Sequence, residues 1–231
     1  MAVYNMDTPK GLDIHAASPN LLGSRSGNRA TAGTGALKAR AKGERVLYET
    51  RQQMQSVRDA LCGHGPGGFP EHGELLRLTT FGQINALTIL LRGVEVFGRV
   101  EVLLAAYSIN QRANFALRNL LADGAILGAL VLGSDTITWR DPPRIREMWE
   151  TAERFPDLVQ FGMCDNHAKV IAFRPGDHGH HIVVTGSANL ASNARIEDYA
   201  MTNSPEGWDH YEGWMRELAR PIPDPATLEN G

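Results

Sequence analysis

The sequence predicts an α/β fold in which a mixed β-sheet is flanked by helices. From about residue 75 to residue 185, amphipathic segments with apolar residues three and four apart alternate with short, almost wholly apolar segments. The first pattern is typical of helices, and the second is typical of strands that are buried on both faces. A chain of 231 residues, 42% of them hydrophobic, is long enough for one good core or for two small ones.

The first part of the chain lacks this alternation. Residues 1–43 are rich in Gly, Ser, Ala, Asn and Thr, which predicts a flexible arm. Residues 44–74 are predicted to form one helix and then a linker or flexible loop rich in Gly and Pro, which begins at Cys62. The apolar residues of that helix recur at spacings of seven, three and four, and they are Leu47, Met54, Val57 and Leu61.

Residues 75–215 form the predicted compact domain. Helices are expected at 81–91, 111–122 and 144–154, with Gly93 beyond the end of the first helix. Strands are expected at 99–107, 125–132, 158–163, 167–173 and 181–185, with a hairpin turn at 177–179 before the last of them. A final helix is expected around Trp208, Tyr211 and Trp214, followed by a C-terminal tail at 216–231.

The composition narrows the class of protein. The net charge is -3, so composition neither announces nor excludes a nucleic-acid-binding protein. No apolar stretch approaches the ~18 residues that a membrane-spanning helix needs, and the N-terminal residues do not resemble a signal peptide. Cys62 and Cys164 lie in unlike contexts, which argues against a disulfide framework. We therefore expect a cytoplasmic protein.

Two polar segments stand out within the predicted domain. One reads NHAKVI at 166–171, and the other reads GSANL at 186–190, with Glu197 further along the chain. In a strand, residues i and i+2 project from the same face, so His167 and Lys169 would lie side by side. A helix is predicted at 188–194, and a strand end followed by a helix start is where backbone N–H groups can hold an anion. These residues are typical of phosphoryl transfer without a metal.

The pair of segments resembles the HxK…GSxN…E signature of the phospholipase D superfamily. Within that superfamily the chain is most similar to small bacterial and phage-type members that carry one such motif per polypeptide, including nucleases. The resemblance covers residues 75 to about 214 and includes the Thr80-Phe81-Gly82 lead into the first predicted helix. It implies a phospholipase D-like sandwich and a metal-independent phosphodiesterase without a cofactor.

The resemblance also implies a role for each matching residue. His167 would be the nucleophile that forms a phosphohistidine, and Glu197 would hold its imidazole in the reactive tautomer. Lys169 and Asn189 would bind the nonbridging phosphate oxygens, and Ser187 would hydrogen-bond within the same site. Because the family's chemistry needs two facing motifs, one motif per chain implies a homodimer with the active site on its two-fold axis. Nucleic acid is the substrate that this resemblance favours.

One position departs from the longer family pattern. An acid is expected five residues after the lysine, and Arg174 occupies that position, with Asp177 out of register. A protein that keeps the fold but only binds or assembles is therefore an alternative to the enzyme. A lipid phosphodiesterase is a further alternative, although the sequence has no basic amphipathic helix for docking on a membrane.

Each of these residues also has an ordinary structural interpretation. Lys169 could be a solvated lysine on an edge strand, and Ser187 and Asn189 could cap the helix that follows them. The histidines around 177–181, together with Cys164 and Asp165, suggest a metal site. Because neighbouring residues on a strand point to opposite faces, His180 and His181 cannot easily share one ion. The sequence therefore predicts no metal site.

Overall fold

A computed structural model describes residues 52–63, 65–81, 84–138, 142–177, 179–187, 190 and 196–224. Almost all of these residues belong to one compact unit, Met54–Gly231. The predicted arm at 1–43 lies outside the described residues, as does the part of the predicted first helix that precedes residue 52. The predicted boundary between linker and domain at residue 75 stays a prediction.

Helices and strands alternate along this unit. The helices are α1 (52–60), α2 (Ala86–Phe97), α3 (Gln111–Ala122), α4 (Asp135–Thr138), α5 (Pro142–Arg154) and α6 (Pro205–Leu218). The strands are β1 (Leu75–Phe81), β2 (Val100–Ala106), β3 (Ile126–Ser134), β4 (Val159–Cys164), β5 (Lys169–Pro175), β6 (Ile182–Gly186), β7 (Ile196–Asn203) and β8 (Arg220–Pro221). The order confirms the predicted alternation between 99 and 185.

All eight strands join one mixed sheet in the order β1-β7-β6-β5-β2-β3-β4-β8. Strands β2, β3 and β4 run parallel to one another, and the remaining neighbours are antiparallel. The parallel strands are connected through α3 and α5, as the βαβ arrangement requires. The predicted fold class, a mixed sheet flanked by helices, is confirmed.

Helices cover both faces of the sheet. One face packs against α2, α3 and α5, and this side holds the larger part of the core, including Ile171 and Phe173 of β5. The other face packs against α6, and its smaller core includes Val170 and Ala172 of the same strand, together with Trp208. The alternation of these residues assigns every position of β5 to one of the two faces.

The region around α2 differs from the sequence prediction. A helix was expected from residue 81, but β1 continues to Phe81 and the helix begins at Ala86. Asn85 caps it, with its side chain accepting a hydrogen bond from the Thr88 backbone amide at 3.0 Å. Gly93 lies inside α2 rather than beyond its end. A Cβ at this position would stand 2.6 Å from Cε2 of Phe173. Close packing of α2 on β5, not helix termination, requires this glycine.

The segment that follows α1 packs closely, although its composition predicts a linker or flexible loop. It contains a short 3-10 turn at Pro66–Gly68, and Phe69 is fully buried against Phe97 and Phe173. Val57 and Leu61 join the same core. Phe69 therefore anchors this glycine-rich stretch to the core, and a search for periodicity does not register a single side chain.

Three further strands, β1, β7 and the two-residue β8, were not predicted from the sequence. β1 and β7 pair with each other over seven residues at one side of the sheet, and only β1 has a free edge there. Their alternating exposed and buried residues are typical of strands that cover a core on one face only. Glu197 therefore lies on a strand. The helix predicted at 188–194 lies outside the described residues, apart from Leu190.

The described helices include none that is long and apolar enough to span a bilayer.

Candidate active site

The ends of three neighbouring strands bring the predicted site residues together. β5 begins at Lys169, β6 ends at Gly186, and Glu197 is the second residue of β7. The register pairs Val170 with Thr185 and Gly186 with Tyr199, so the beginning of β5, the end of β6 and the beginning of β7 meet at one end of the sheet. The antiparallel order of the three strands is what joins two segments that are distant in sequence.

His167 lies just before β5 rather than within it. The prediction that His167 and Lys169 share one face of a strand is therefore wrong. The two side chains nevertheless contact each other. Asn166, which is 5% exposed, fixes the turn, since its side chain accepts from the Ala168 amide at 2.7 Å and donates to the Leu132 carbonyl at 3.3 Å. This turn presents the His167 side chain to solvent.

Lys169 holds the imidazole of His167. Its Nζ lies 3.1 Å from Nδ1 of His167 and donates to the carbonyl oxygen of the same residue at 2.8 Å. Burial lowers the pKa of the Lys169 ammonium, and the negative charge of Glu197 partly offsets that effect. Within the described part of the chain, Lys169 forms no salt bridge. A half-buried cation without a carboxylate in direct contact is suited to binding an anion.

Ser187 and Glu197 lie at the adjoining ends of β6 and β7. The Ser187 hydroxyl donates a short hydrogen bond to the Glu197 carboxylate, which is 6% exposed, and accepts from the Asp198 amide at 3.1 Å. The Ser187 amide donates to the Asp198 carbonyl at 3.1 Å. Three hydrogen bonds to the start of β7 therefore fix both the backbone and the hydroxyl of Ser187.

Gly186 is required by the close approach of Tyr199. A Cβ on Gly186 would stand 2.6 Å from Cδ1 of Tyr199 and 2.8 Å from the Asp198 carbonyl oxygen. Tyr199 is 2% exposed, and its hydroxyl has no hydrogen-bond partner among the described residues. Burial, and secondarily the charge of Glu197, raise the pKa of this phenol, so it stays protonated. The glycine of the predicted motif therefore serves packing at the site.

Tyr107 is a site residue that the sequence analysis did not identify. Its ring lies 4.8 Å from the His167 ring, centroid to centroid, and Nζ of Lys169 lies 5.9 Å from the Tyr107 centroid. Both distances fall in the range of ring contacts and cation–π contacts. The signal was its position at the end of a predicted strand, where functional side chains of α/β sheets are common.

Two other predicted positions have different outcomes. Asn189 lies outside the described residues. Arg174 lies on the α6 face of β5, whereas Lys169 shares its parity with Ile171 on the opposite face. Arg174 pairs with Glu101, its Nη2 2.5 Å from the carboxylate, and its guanidinium stacks 4.5 Å from the Trp208 ring. The departure from the family pattern therefore falls outside the cluster of His167 and Lys169.

Among the described residues, no group of three or more His, Cys, Asp or Glu side chains is arranged to hold a metal ion. The cluster offers instead an exposed imidazole, a partly desolvated ammonium, and a hydroxyl fixed to a buried carboxylate. A nucleophile or acid beside a cation is an arrangement that can stabilise charge on a phosphate during transfer.

Comparisons with known proteins give a limited likeness. No protein-family profile matches the sequence, and no curated protein matches it. Among solved structures, polyphosphate kinase from Porphyromonas gingivalis is similar over 65% of this chain, with 15% sequence identity and a TM-score of 0.47. The chain spans 27% of that kinase's length. Because the likeness is partial and distant, the kinase's activity is not transferred to this chain.

Proposed function

We propose that this protein is a metal-independent phosphodiesterase of the phospholipase D type, and that its substrate is a nucleic acid. The observation that carries the proposal is the approach of Lys169 Nζ to within 3.1 Å of Nδ1 of His167. Ser187, bonded to the Glu197 carboxylate at the adjoining strand ends, adds a hydroxyl to the same end of the sheet. His167, Lys169, Ser187 and Glu197 match the motif residues, and the fifth motif residue, Asn189, lies between Ser187 and Glu197 in the sequence.

The proposed reaction has two steps. The lone pair on Nε2 of His167 attacks phosphorus, a P–N bond forms, and the bond from phosphorus to the leaving oxygen breaks. The leaving oxygen takes a proton from a second histidine, and water later hydrolyses the phosphohistidine with proton transfer in the reverse direction. The positive charge of Lys169 stabilises the nonbridging oxygens as their negative charge grows, and the Asn189 amide donates a hydrogen bond to them. No step requires a metal.

The second histidine is proposed to be His167 of another copy of this chain. A single motif supplies one imidazole, whereas the reaction uses one imidazole as nucleophile and another as acid. The exposed position of His167 at the end of the sheet leaves it open to a second copy. The homodimer would therefore place its two-fold axis at this end of the sheet.

Removal of the two central side chains tests the activity. In the variants H167Q and K169M, we expect hydrolysis of bis(p-nitrophenyl) phosphate and of DNA or RNA to fall by about 1,000-fold or more. Two exposed α6 residues provide matched controls: H210Q and R216M should keep the activity of the unmodified protein. Activity that survives H167Q, or that EDTA removes, would contradict the proposal.

Mixing experiments test the dimer. When unmodified chains and H167Q chains are refolded together in equal amounts, random pairing leaves only about a quarter of dimers with two His167 residues. Activity should therefore fall to about a quarter, while independent monomers would keep about half. The mass from sedimentation equilibrium gives the oligomeric state directly.

Binding without turnover is the competing function. In that case the protein would bind phosphate or DNA, and K169M would weaken this binding. No phosphodiester would be cleaved under any condition. Arg174 was the reason for this alternative, and its place on the opposite sheet face removes it from direct contact with His167 and Lys169. The lipid phosphodiesterase alternative is tested with liposomes of phosphatidylcholine as the comparison substrate. Faster cleavage of this lipid than of nucleic acid would reject the nuclease assignment.

A further inference from the structure

The contact between Lys169 and His167 fixes the position of a proton. An ammonium group has three N–H donors and no acceptor. Its hydrogen bond to Nδ1, at 3.1 Å, therefore requires a lone pair on that nitrogen. A neutral imidazole carries one proton, which must then lie on Nε2. The arrangement selects one of the two tautomers of His167.

This tautomer cannot act as the nucleophile. Attack through Nε2 needs the lone pair on that nitrogen, and the proton on Nε2 occupies it. The same tautomer is suited to the role of acid, because Nε2–H can give its proton to a leaving oxygen. In the arrangement seen here, His167 is therefore in the acid form and not in the nucleophilic form.

The ammonium is also committed to His167. Two of its three hydrogens point to one residue, one to the Nδ1 atom and one to the carbonyl oxygen at 2.8 Å. A phosphate dianion or diester accepts charge-assisted hydrogen bonds, which are roughly twice as strong as those to a neutral acceptor. The third hydrogen remains for an incoming phosphate, which as the stronger acceptor then competes with the imidazole for the hydrogen that points to Nδ1.

The surroundings keep the imidazole in place when the ammonium is withdrawn. Tyr107 contacts the His167 ring at 4.8 Å, and the Asn166 turn fixes the backbone on either side of it. Loss of the contact with Nζ would free Nδ1 without releasing the ring. Nδ1 could then carry the proton. The resemblance gives Glu197 the role of orienting this imidazole, and the negative charge of Glu197 acts on Lys169 at the same end of the sheet.

We propose that Lys169 holds His167 in its non-nucleophilic tautomer until a phosphate draws the ammonium away, so that substrate binding itself activates the nucleophile. In the change, Nδ1 takes a proton from water and Nε2 returns one to water, so that the imidazole keeps its overall charge. This inference rests on the proposed function, because it requires that His167 is the nucleophile and that a phosphate binds to Lys169.

Nitrogen-15 NMR of histidine-labelled full-length protein measures the tautomer directly. The chain has 8 histidines, and the H167Q variant identifies the signals of the residue in question. At about pH 8, where ordinary imidazoles are neutral, we expect the Nε2–H pattern for His167 in the free protein. Inorganic phosphate should shift its two nitrogen signals towards the Nδ1–H pattern, and K169M should give an averaged mixture that phosphate does not change.

A matched variant and three results decide the outcome. R216M removes a cation from α6 on the other side of the sheet and should behave as the unmodified protein. The proposal is overturned if free His167 shows the Nδ1–H pattern, if phosphate binds with no change of tautomer, or if phosphate does not bind. Failure of the proposed function is a separate result: the tautomer changes with phosphate, but no phosphodiester is hydrolysed.

Discussion

The two ends of strand β5 hold their cations in different ways. Arg174, near the C-terminal end, pairs with Glu101 and stacks on the ring of buried Trp208. Lys169, at the N-terminal end, also lies near an aromatic ring and a carboxylate, but within the described part of the chain it has no salt bridge. Arg174 is therefore neutralised by an ion pair, whereas the charge of Lys169 remains available to an anion.

Among the described residues, this difference distinguishes a cation held in an ion pair from one that remains available to an anion. The two side chains have similar surroundings by composition, since each lies near an aromatic ring and at least one glutamate. What distinguishes them is whether the glutamate touches the cation or is engaged elsewhere, as Glu197 is by Ser187. The following predictions test this contrast, beginning with the largest expected effect.

Activity should distinguish the two ends most strongly. K169M is expected to lower kcat/KM for a phosphodiester by about 1,000-fold, because it removes the charge that meets the phosphate. R174M should change kcat/KM by less than about threefold when measured well below its unfolding temperature. A comparable loss in both variants would mean that the Arg174 end takes part in the reaction.

Substitution of the motif glycine tests the packing that fixes Ser187. G186A places a methyl group 2.6 Å from Cδ1 of Tyr199, and we expect it to lower the free energy of unfolding by about 1–3 kcal/mol. G128A in β3 is the control, because nothing lies within 4 Å of a Cβ added there. Urea unfolding compares the two, and equal stability would show that the Tyr199 ring can move aside.

Stability should change in opposite directions at the two ends. R174M removes a partly buried ion pair and a cation–π contact, so we expect the free energy of unfolding to fall by about 1–2 kcal/mol. K169M replaces a desolvated ammonium with an apolar side chain, so we expect a gain of about 1 kcal/mol near neutral pH. Urea titration of both variants measures the difference, and a loss of stability in K169M would contradict the contrast.

The gain in K169M should depend on pH. Burial places the pKa of Lys169 in the folded protein below its ordinary value of 10.5, so between these two values the unfolded chain binds more protons than the folded one. The stability of the unmodified protein relative to K169M therefore rises with pH across that window. Below the window the full cost of the buried charge is present. Unfolding curves at successive alkaline pH values check the direction.

Tyr107 should have a smaller effect on activity than Lys169. Y107L removes the ring that contacts His167, and we expect kcat to fall by about tenfold with little change in KM, since the ring orients the imidazole. Y107F keeps the ring and should restore kcat to within about twofold of the unmodified protein. If Y107F is as impaired as Y107L, the hydroxyl rather than the ring carries the effect.

The parts of the fold that periodicity predicted correctly are those with dense local signals. β2, α3, β3, α5, β4, β5 and β6 were predicted within two residues at each end, because the strands are short apolar runs and the helices have apolar residues three and four apart. β1 and β7 were missed, since Leu75 and Ile196 are apolar at exposed positions and Glu197 is polar at a buried one, which breaks the alternation expected of a half-buried strand. The start of α2 was placed too early, because Phe81 continues the apolar pattern although β1 already uses it.

The candidate site was predicted as a set of residues but not as a geometry. His167 and Lys169 were paired on the expectation of a shared strand face, yet they meet through a turn held by Asn166. Tyr107 and Tyr199 carry no motif of their own, so only their positions in space connect them with the site. The arrangement of Arg174 on the opposite face likewise depends on the parity of β5 and on the position of Trp208.

By itself, the sequence determined the alternation of helices and strands, the mixed α/β class, and the two polar segments with the chemistry of phosphate binding. These are local properties, since they depend on the spacing of apolar residues and on the functional groups of a few side chains. The tertiary structure decided which cation is saturated and which nitrogen of His167 faces Lys169. Those properties depend on strand order and register, which bring together residues that are distant in the chain.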